Sequence, residues 1–253
     1  MIKPRLGQHF LINGFVADRE INIANISKND TVLEIGPGKG ILTTRLAEKA
    51  KKVIAIEIDK YLVNLLLKKV PENVEIILGD ALKIDFHELP KVDKIVSNIP
   101  YQISSPLTFK LLNYNFRLAV LMYQKEFAER MVAIPKTKSY SRISVMLYYH
   151  VNCELIENVP KTCFLPQPKV DSSIIRLLPR KNPPFNLIDE SFFFSLTKAL
   201  FSHRRKKIRT NLNNFYGLKD DSLPYLENRV DELSPEKIGE LSNLLLKKLK
   251  KIN

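Results

Sequence analysis

Along residues 31–124, short apolar runs alternate with segments whose apolar positions recur every three to four residues. TVLEIG (31–36), VIAIEID (53–59), VEIILGD (74–80), DKIVSN (93–98) and RLAVLMYQ (117–124) have strand length and are rich in β-branched residues. Between them ILTTRLAEKA, YLVNLLLKKV and SSPLTFKLLNY carry helical spacing, and the helix-like KEFAERMV follows the fifth run. In SSPLTFKLLNY, Ser104 or Ser105 is the expected N-cap and Pro106 suits the first turn. Apolar strands separated by helices need crossover connections, so the pattern predicts an α/β fold on a parallel sheet with both faces covered. ELIENV (154–159) and SSIIRLLP (172–179) close the sheet, with the Pro-rich TCFLPQPKVD between them.

The pattern changes around PRKNPPFN (179–186), where adjacent prolines and polar residues read as a linker. Beyond it SFFFSLTKALFSHRRKKIRTNL and SPEKIGELSNLLLKKLK are helical in spacing, the second with Ser234 as N-cap and Pro235 at its first position. Two domains are therefore expected, an α/β domain over 1–179 and a small helical domain over 180–253.

Composition adds a partner class. Forty Lys and Arg against 27 Asp and Glu give a net charge of +13 in 253 residues. Residues 180–253 hold 15 basic and 9 acidic residues, a net +6, so basicity is denser in the C-terminal part, as in a module that touches a polyanion. HRRKKIR (203–209) places Arg204, Arg205, Lys206, Lys207 and Arg209 within seven residues as candidate phosphate contacts. Helical spacing would scatter them around the axis, so only some can face one ligand. No run approaches the length of a membrane span, and MIKPRLGQHFL lacks the apolar core of an export signal, so a cytoplasmic protein is expected. Cys153 and Cys163 have no metal-ligand spacing and read as buried thiols in a reducing compartment; no metal is expected.

The chemistry gathers at the ends of the first four strands. GPGKG ends the first strand and opens a helix, and Gly36 and Gly38 let the backbone pass close to a ligand. Glu57, nineteen residues after Gly38, ends the second strand, where a carboxylate can accept both ribose hydroxyls. Asp80 ends the third, within reach of an adenine amino group, and Asn98 ends the fourth. Open parallel sheets bind ligands beyond the carboxyl ends of their strands, so these four positions should converge on one crevice. The spacing fits S-adenosylmethionine better than a nicotinamide dinucleotide.

SNIPYQISS (97–105) then supplies a reaction. The exocyclic amine of adenine is a poor nucleophile because its lone pair is delocalised into the ring. Two acceptors aimed at its hydrogens, the Asn98 side-chain oxygen and the Ile99 carbonyl, would free that lone pair. Pro100 holds Ile99 extended and donates no N–H, and Tyr101 can stack on the base. The leaving group is a sulfonium, so alignment and desolvation should carry most of the rate.

These residues resemble the KsgA/Dim family of ribosomal RNA adenine N6,N6-dimethyltransferases over nearly the whole chain. GQHFL (7–11), EIGPGKG, IEID, GDAL, NIPY, QKEFAER (124–130), FLPQPKVDSSIIRL (164–177) and FSHRRKKIRTNL (201–212) match its motifs in order. Ile99 replaces the usual Leu of the tetrad, a conservative change if the residue acts through its carbonyl. The resemblance implies a Rossmann-like methyltransferase domain that takes its methyl groups from S-adenosylmethionine. It implies two methylations of N6 on each of two adjacent adenosines in a hairpin loop near the 3′ end of small-subunit rRNA, in a pre-30S particle. It places Gln8, His9, Phe10, Leu11, Gly36, Gly38, Glu57, Ile58, Asp80, Ala81 and Asn98 around the methyl donor. Asn98, Ile99, Pro100 and Tyr101 face the adenine, with Phe164 on the opposite face of the flipped base. A monomer is expected. High Lys and Ile with four Gln and no Trp point to an archaeal thermophile.

Three other readings share part of this pattern. Dimethylases of large-subunit rRNA have the same pocket and tetrad, but FLPQPKVDSSIIRL and the C-terminal basic stretch favour the small-subunit branch. A ribosome-assembly factor with incidental catalysis would need the basic surface without the complete cofactor constellation. DNA adenine methylases usually carry Asp or Ser where this chain has Asn98.

Overall fold

The computed structural model describes residues 8–218 and 221–252. Gly7 of the GQHFL motif lies outside them. In chain order the elements are β1 (Phe10–Leu11), α1 (Gly14–Ala24), β2 (Thr31–Ile35), α2 (Ile41–Lys49), β3 (Lys52–Glu57), α3 (Lys60–Leu66), β4 (Val74–Leu78) and β5 (Lys94–Asn98). Then come α4 (Ser104–Leu112), β6 (Leu118–Gln124), α5 (Lys125–Met131), α6 (Arg142–His150), β7 (Val151–Val159), β8 (Phe164–Leu165), β9 (Ser172–Pro179), α7 (Glu190–Ser202), α8 (Ile208–Tyr216) and α9 (Pro235–Ile252).

The main sheet has the order β4-β3-β2-β5-β6-β9-β7. The pairings among β4, β3, β2, β5 and β6 are parallel, and β9 runs antiparallel to β6. The strand order reverses between β2 and β5, the position at which open α/β sheets form a ligand crevice. Opposite that crevice, Asp30 ties the amino ends of the central strands together. Its carboxylate accepts from Lys94 Nζ at 2.9 Å and from Arg117 Nη2. Burial alone would raise its pKa, but the hydrogen bonds from Lys94 and Ser27 hold it below the usual carboxylate value.

α1, which the hydrophobic pattern did not announce, packs on this sheet against β5 and β6. Asn13 caps it by accepting from Phe15 N–H at 3.0 Å. β1 and β8 form a separate two-stranded antiparallel sheet, with Phe10 opposite Leu165 and Leu11 opposite Phe164. Cys163 is buried and Cys153 half-buried, both as free thiols.

The chain divides into two compact units, one of residues 1–128 and 152–179, the other of 129–151 and 180–253. The C-terminal unit thus also takes in residues 129–151, which the sequence pattern assigned to the α/β domain. Within it, Tyr140 Oη donates to Leu233 O at 3.0 Å and Lys136 N–H to Asp231 O at 2.7 Å. Tyr149 and Phe193 both pack on Phe185, with ring centroids 5.0 and 5.7 Å apart. Asn243 fastens the end of the stretch expected as a linker and the residues just after it, donating to Asn186 O and accepting from Ile188 N–H, each at 2.8 Å.

Two local expectations are corrected. The helix expected through 191–212 breaks after Ser202 and resumes at Ile208. The intervening HRRKK forms turns, with Arg204 drawn to the carbonyls of Thr137 and Lys138. Neither Ser104 nor Ser105 is an N-cap: a 3-10 turn over Tyr101–Ile103 runs straight into α4, so Ser104 is already helical and Ile103 precedes it without a side-chain cap. Ser234 does sit before α9, accepting from Lys237 N–H at 3.4 Å.

Candidate active site

A cavity of about 340 Å³ opens beyond the carboxyl ends of β2, β3, β4 and β5. Its walls include Gln8, His9, Phe10, Gly36, Gly38, Glu57, Ile58, Asp80, Ala81, Asn98, Ile99, Pro100, Tyr101 and Phe164. Every residue predicted for the methyl donor or the target base therefore meets here, except Leu11. Leu11 pairs with Phe164 and turns its side chain into the apolar core beside Ala17 and Ile21. Its neighbours Gln8, His9 and Phe10 supply the wall instead.

The glycine turn is shaped for close approach. Gly36 and Gly38 have φ of 71° and 58°, a region that L side chains rarely adopt. A Cβ at Gly36 would lie 3.0 Å from the Pro100 ring, and one at Gly38 3.0 Å from the Phe10 ring. Lys39 Nζ sits 4.9 Å over the Phe10 ring. The turn is thus in contact with both the NIPY segment and the N-terminal motif.

Glu57 accepts from Gly38 N–H at 3.2 Å and from Asp59 N–H at 2.9 Å, which fixes its carboxylate at the cavity wall. Burial raises its pKa, opposed by these backbone hydrogen bonds. Asp80 Oδ1 accepts from Leu82 N–H at 2.9 Å, and Lys110 of α4 donates to the carbonyls of Ala81 at 2.9 Å, Leu82 at 3.1 Å and Ile84. A carboxylate at the end of β3, a second in the loop after β4 and glycines free of Cβ in the turn after β2 fit an adenosine with a charged tail. These residues suit S-adenosylmethionine: Glu57 would hold the ribose and Asp80 the adenine.

The NIPY segment forms the opposite wall. Ile99 N–H donates to Met122 O at 3.0 Å and its side chain is buried, so only its carbonyl remains for a ligand. Tyr101 Oη lies 2.7 Å from Ser172 Oγ, and its ring is 5.8 Å from that of His9. His9 Nδ1 is in turn 2.7 Å from Pro166 O. Phe164 is a buried member of the core cluster as well as a cavity wall, so its ring is held by packing. The Asn98 amide faces Glu20 of α1; assigned from its hydrogen-bonding partners, the amide nitrogen is the atom that faces the carboxylate, 2.7 Å from Oε1 and 3.3 Å from Oε2. The opposite orientation would set two carboxylate oxygens against the amide oxygen.

Sequence reasoning missed Ile35, Ile56, Leu62, Gly79, Gln102, Ile103 and Met122, which also line the cavity. Ile103 and Gln102 sit in the 3-10 turn just past NIPY, where a motif read by residue type stops too early. Glu20 and Ser172 were not predicted: they touch Asn98 and Tyr101 rather than the cavity itself.

The predicted basic residues lie outside this cavity, in the C-terminal unit. Arg204 donates to Thr137 O, Lys138 O and Asp231, Lys207 pairs with Glu227, and Arg209 pairs with Glu227 and Asp221. Arg205 and Lys206 are exposed and, among the described residues, neither forms an ion pair. The five positions therefore divide into three with internal partners and two without.

Residues 1–247 match the family model for ribosomal RNA adenine dimethylase. The chain belongs to this family. It is an S-adenosylmethionine-dependent methyltransferase of Rossmann-like fold. It is 47% identical over 250 residues to a protein of Methanosarcina acetivorans named as a probable ribosomal RNA small subunit methyltransferase A, covering 94% of this chain and 91% of that one. Among solved structures, a dimethyladenosine transferase from Plasmodium falciparum is 33% identical with a TM-score of 0.78, covering 96% of this chain and 98% of that one. The 23S rRNA methyltransferase ErmE is 28% identical with a TM-score of 0.69, covering 92% and 98%. Among the described residues no helix is long and apolar enough to cross a membrane, and no cluster of three His, Cys, Asp or Glu could hold a metal ion.

Proposed function

We propose that this chain dimethylates N6 of two adjacent adenosines in the hairpin loop near the 3′ end of small-subunit rRNA, acting as a cytoplasmic monomer on a pre-30S particle. The observation that carries the reading is the position of Asn98 and the Ile99 carbonyl on one wall of the cavity that Gly36, Glu57 and Asp80 also line. S-adenosylmethionine supplies an electrophilic methyl group on a sulfonium. Asn98 Oδ1 and Ile99 O accept the two N6 hydrogens, which turns the nitrogen lone pair toward the methyl group. Pro100 offers no competing donor. Tyr101 and Phe164 hold the flipped base on either face, and exclusion of water by the apolar walls strengthens both hydrogen bonds.

After methyl transfer the nitrogen bears a positive charge and releases a proton readily, so no strong base is needed. The second transfer meets only one N6 hydrogen, which one acceptor satisfies. Arg205 and Lys206 are the residues of the basic stretch that best fit phosphate contacts, because they are exposed and, among the described residues, form no ion pair. The identity of 47% with the small-subunit relative, against 28% with ErmE, favours the small subunit as substrate.

The deciding experiment transfers radiolabelled methyl from S-adenosylmethionine to undermethylated small ribosomal subunits and to naked large-subunit RNA, followed by nucleoside analysis. N6,N6-dimethyladenosine in the small subunit alone, lost with Asn98→Ala, is the expected result. Label only in large-subunit RNA would overturn the substrate, and binding without transfer would favour an assembly factor.

A further inference from the structure

α1 turns Ala17, Glu20, Ile21 and Ala24 inward, the i, i+3, i+4, i+7 stripe of a helix lying on a sheet. Three of these join the apolar core cluster; the fourth is a carboxylate with no exposed surface. An aliphatic side chain would serve packing better there, because a buried carboxylate is costly unless something uses it. Its hydrogen-bond partner is the amide of Asn98, the residue at the end of β5 that lines the cavity.

We propose that Glu20 is a positioning residue for methyl transfer: it holds the amide nitrogen of Asn98 and so presents the amide oxygen to the target amine. The inference rests on the reading that Asn98 accepts an N6 hydrogen. An asparagine amide is nearly symmetric in shape, so space alone does not decide which of its atoms faces a ligand. A carboxylate decides it, because an ionised carboxylate only accepts. Protonated, Glu20 gains an O–H and can donate to Asn98 Oδ1, which turns the NH₂ toward the base. A donor there repels the N6 hydrogens it should accept.

The groups acting on Glu20 make this proton easily gained. Burial raises its pKa well above the ordinary value, the charges of Glu34 on β2 and Glu157 on β7 add to the rise, and the hydrogen bond from Asn98 opposes it. Glu157 is itself paired with Arg19, and no lysine or arginine is among the groups that act on Glu20. The productive orientation is therefore lost as pH falls through the raised pKa of Glu20.

The test compares single-turnover methyl transfer to small ribosomal subunits by the wild-type chain, Glu20→Gln, Glu20→Met and Asn98→Ala across pH, with S-adenosylmethionine affinity measured for each. Gln at 20 still accepts from Asn98 but does not titrate, so the rate ratio of Glu20→Gln to wild type should rise as pH falls. Met fills the space without a partner, and should melt no lower than wild type yet transfer about two- to tenfold more slowly, as for one lost hydrogen bond. Its S-adenosylmethionine affinity should be unchanged. With Glu20→Gln active, a ratio independent of pH would overturn the role of Glu20, as would a folded Glu20→Met variant as fast as wild type. Should Glu20→Met not fold, the Glu20→Gln ratio decides alone. If the wild type transfers no methyl group, or Asn98→Ala is as active as wild type, it is the proposed function that fails.

Discussion

Tyr101 Oη and Ser172 Oγ lie 2.7 Å apart, joining the last residue of the NIPY segment to the first residue of β9. Ser172 is buried and Tyr101 half-buried, so the bond fixes the tilt of a ring that would otherwise pivot in the cavity wall. Ser172→Ala should lower kcat roughly two- to tenfold while leaving S-adenosylmethionine affinity unchanged, the effect of one neutral hydrogen bond. Tyr101→Phe should match it. Tyr101→Ala should lose more, since stacking on a base is worth about 1–3 kcal/mol. Equal rates for Tyr101→Phe and Tyr101→Ala would show that the ring does not stack.

Lys110 connects the two ends of the site from the other side. Its ammonium gathers the carbonyls of Ala81, Leu82 and Ile84 just after Asp80, although it belongs to the helix that follows NIPY. Lys110→Met keeps a long apolar side chain and removes the charge, which sits 4.3 Å over the Phe86 ring. Calorimetry should then find S-adenosylmethionine bound roughly tenfold more weakly, with kcat at saturation little changed, because the loss falls on the loop that would hold the adenine.

Glu34, at the end of the strand that leads into Gly36, is buried, and burial raises its pKa to about 8, the Thr43 hydroxyl opposing and the Glu57 charge adding to the rise. The folded state thus keeps a proton that the unfolded chain gives up near the ordinary value of 4.5. Stability from this group is full below that value, declines as pH rises toward about 8, and is level beyond. Glu20 and Glu57 are shifted in the same direction. Thermal melts of Glu34→Gln should therefore show a flatter decline over this window than wild type, and parallel curves would rule the assignment out.

Among the described residues, the basic stretch divides by partner: Arg204, Lys207 and Arg209 pair internally, while Arg205 and Lys206 form no ion pair. Arg205→Ala and Lys206→Ala should each reduce the dependence of log binding constant on log salt by ~1 if each neutralises one phosphate, with little change in melting temperature. Arg204→Ala should do the reverse, since its guanidinium spans Thr137 O, Lys138 O and Asp231 within its own unit.

Gly36, Glu57, Asp80 and Asn98 were legible in the sequence because each interrupts or ends an apolar run, and a polar or glycine residue there has few packing explanations. The parallel sheet was legible for the same reason, its strands being apolar on both faces. Leu11 misled: a motif read as one contiguous wall contains a strand, and the pleat turns alternate side chains away from the ligand. The break between α7 and α8 was hidden because HRRKK is compatible with a helix, and tertiary partners some seventy residues away in sequence decide otherwise. Lys110 and Ser172 act on backbone or on one hydroxyl, and such contacts leave no mark in residue spacing.

Tyr140 reaches Leu233 across 93 residues of chain, and both belong to a unit that takes its first segment from the middle of the sequence. During synthesis, at ~5–20 residues per second, residue 140 waits ~5–20 s for that partner to be made. For this interval Tyr140, Ile143 and Leu147, all buried in the finished protein, lack the later elements of their own unit. A chain cut after residue 179 would make that wait permanent, keeping residues 129–151 without the rest of the unit they pack into.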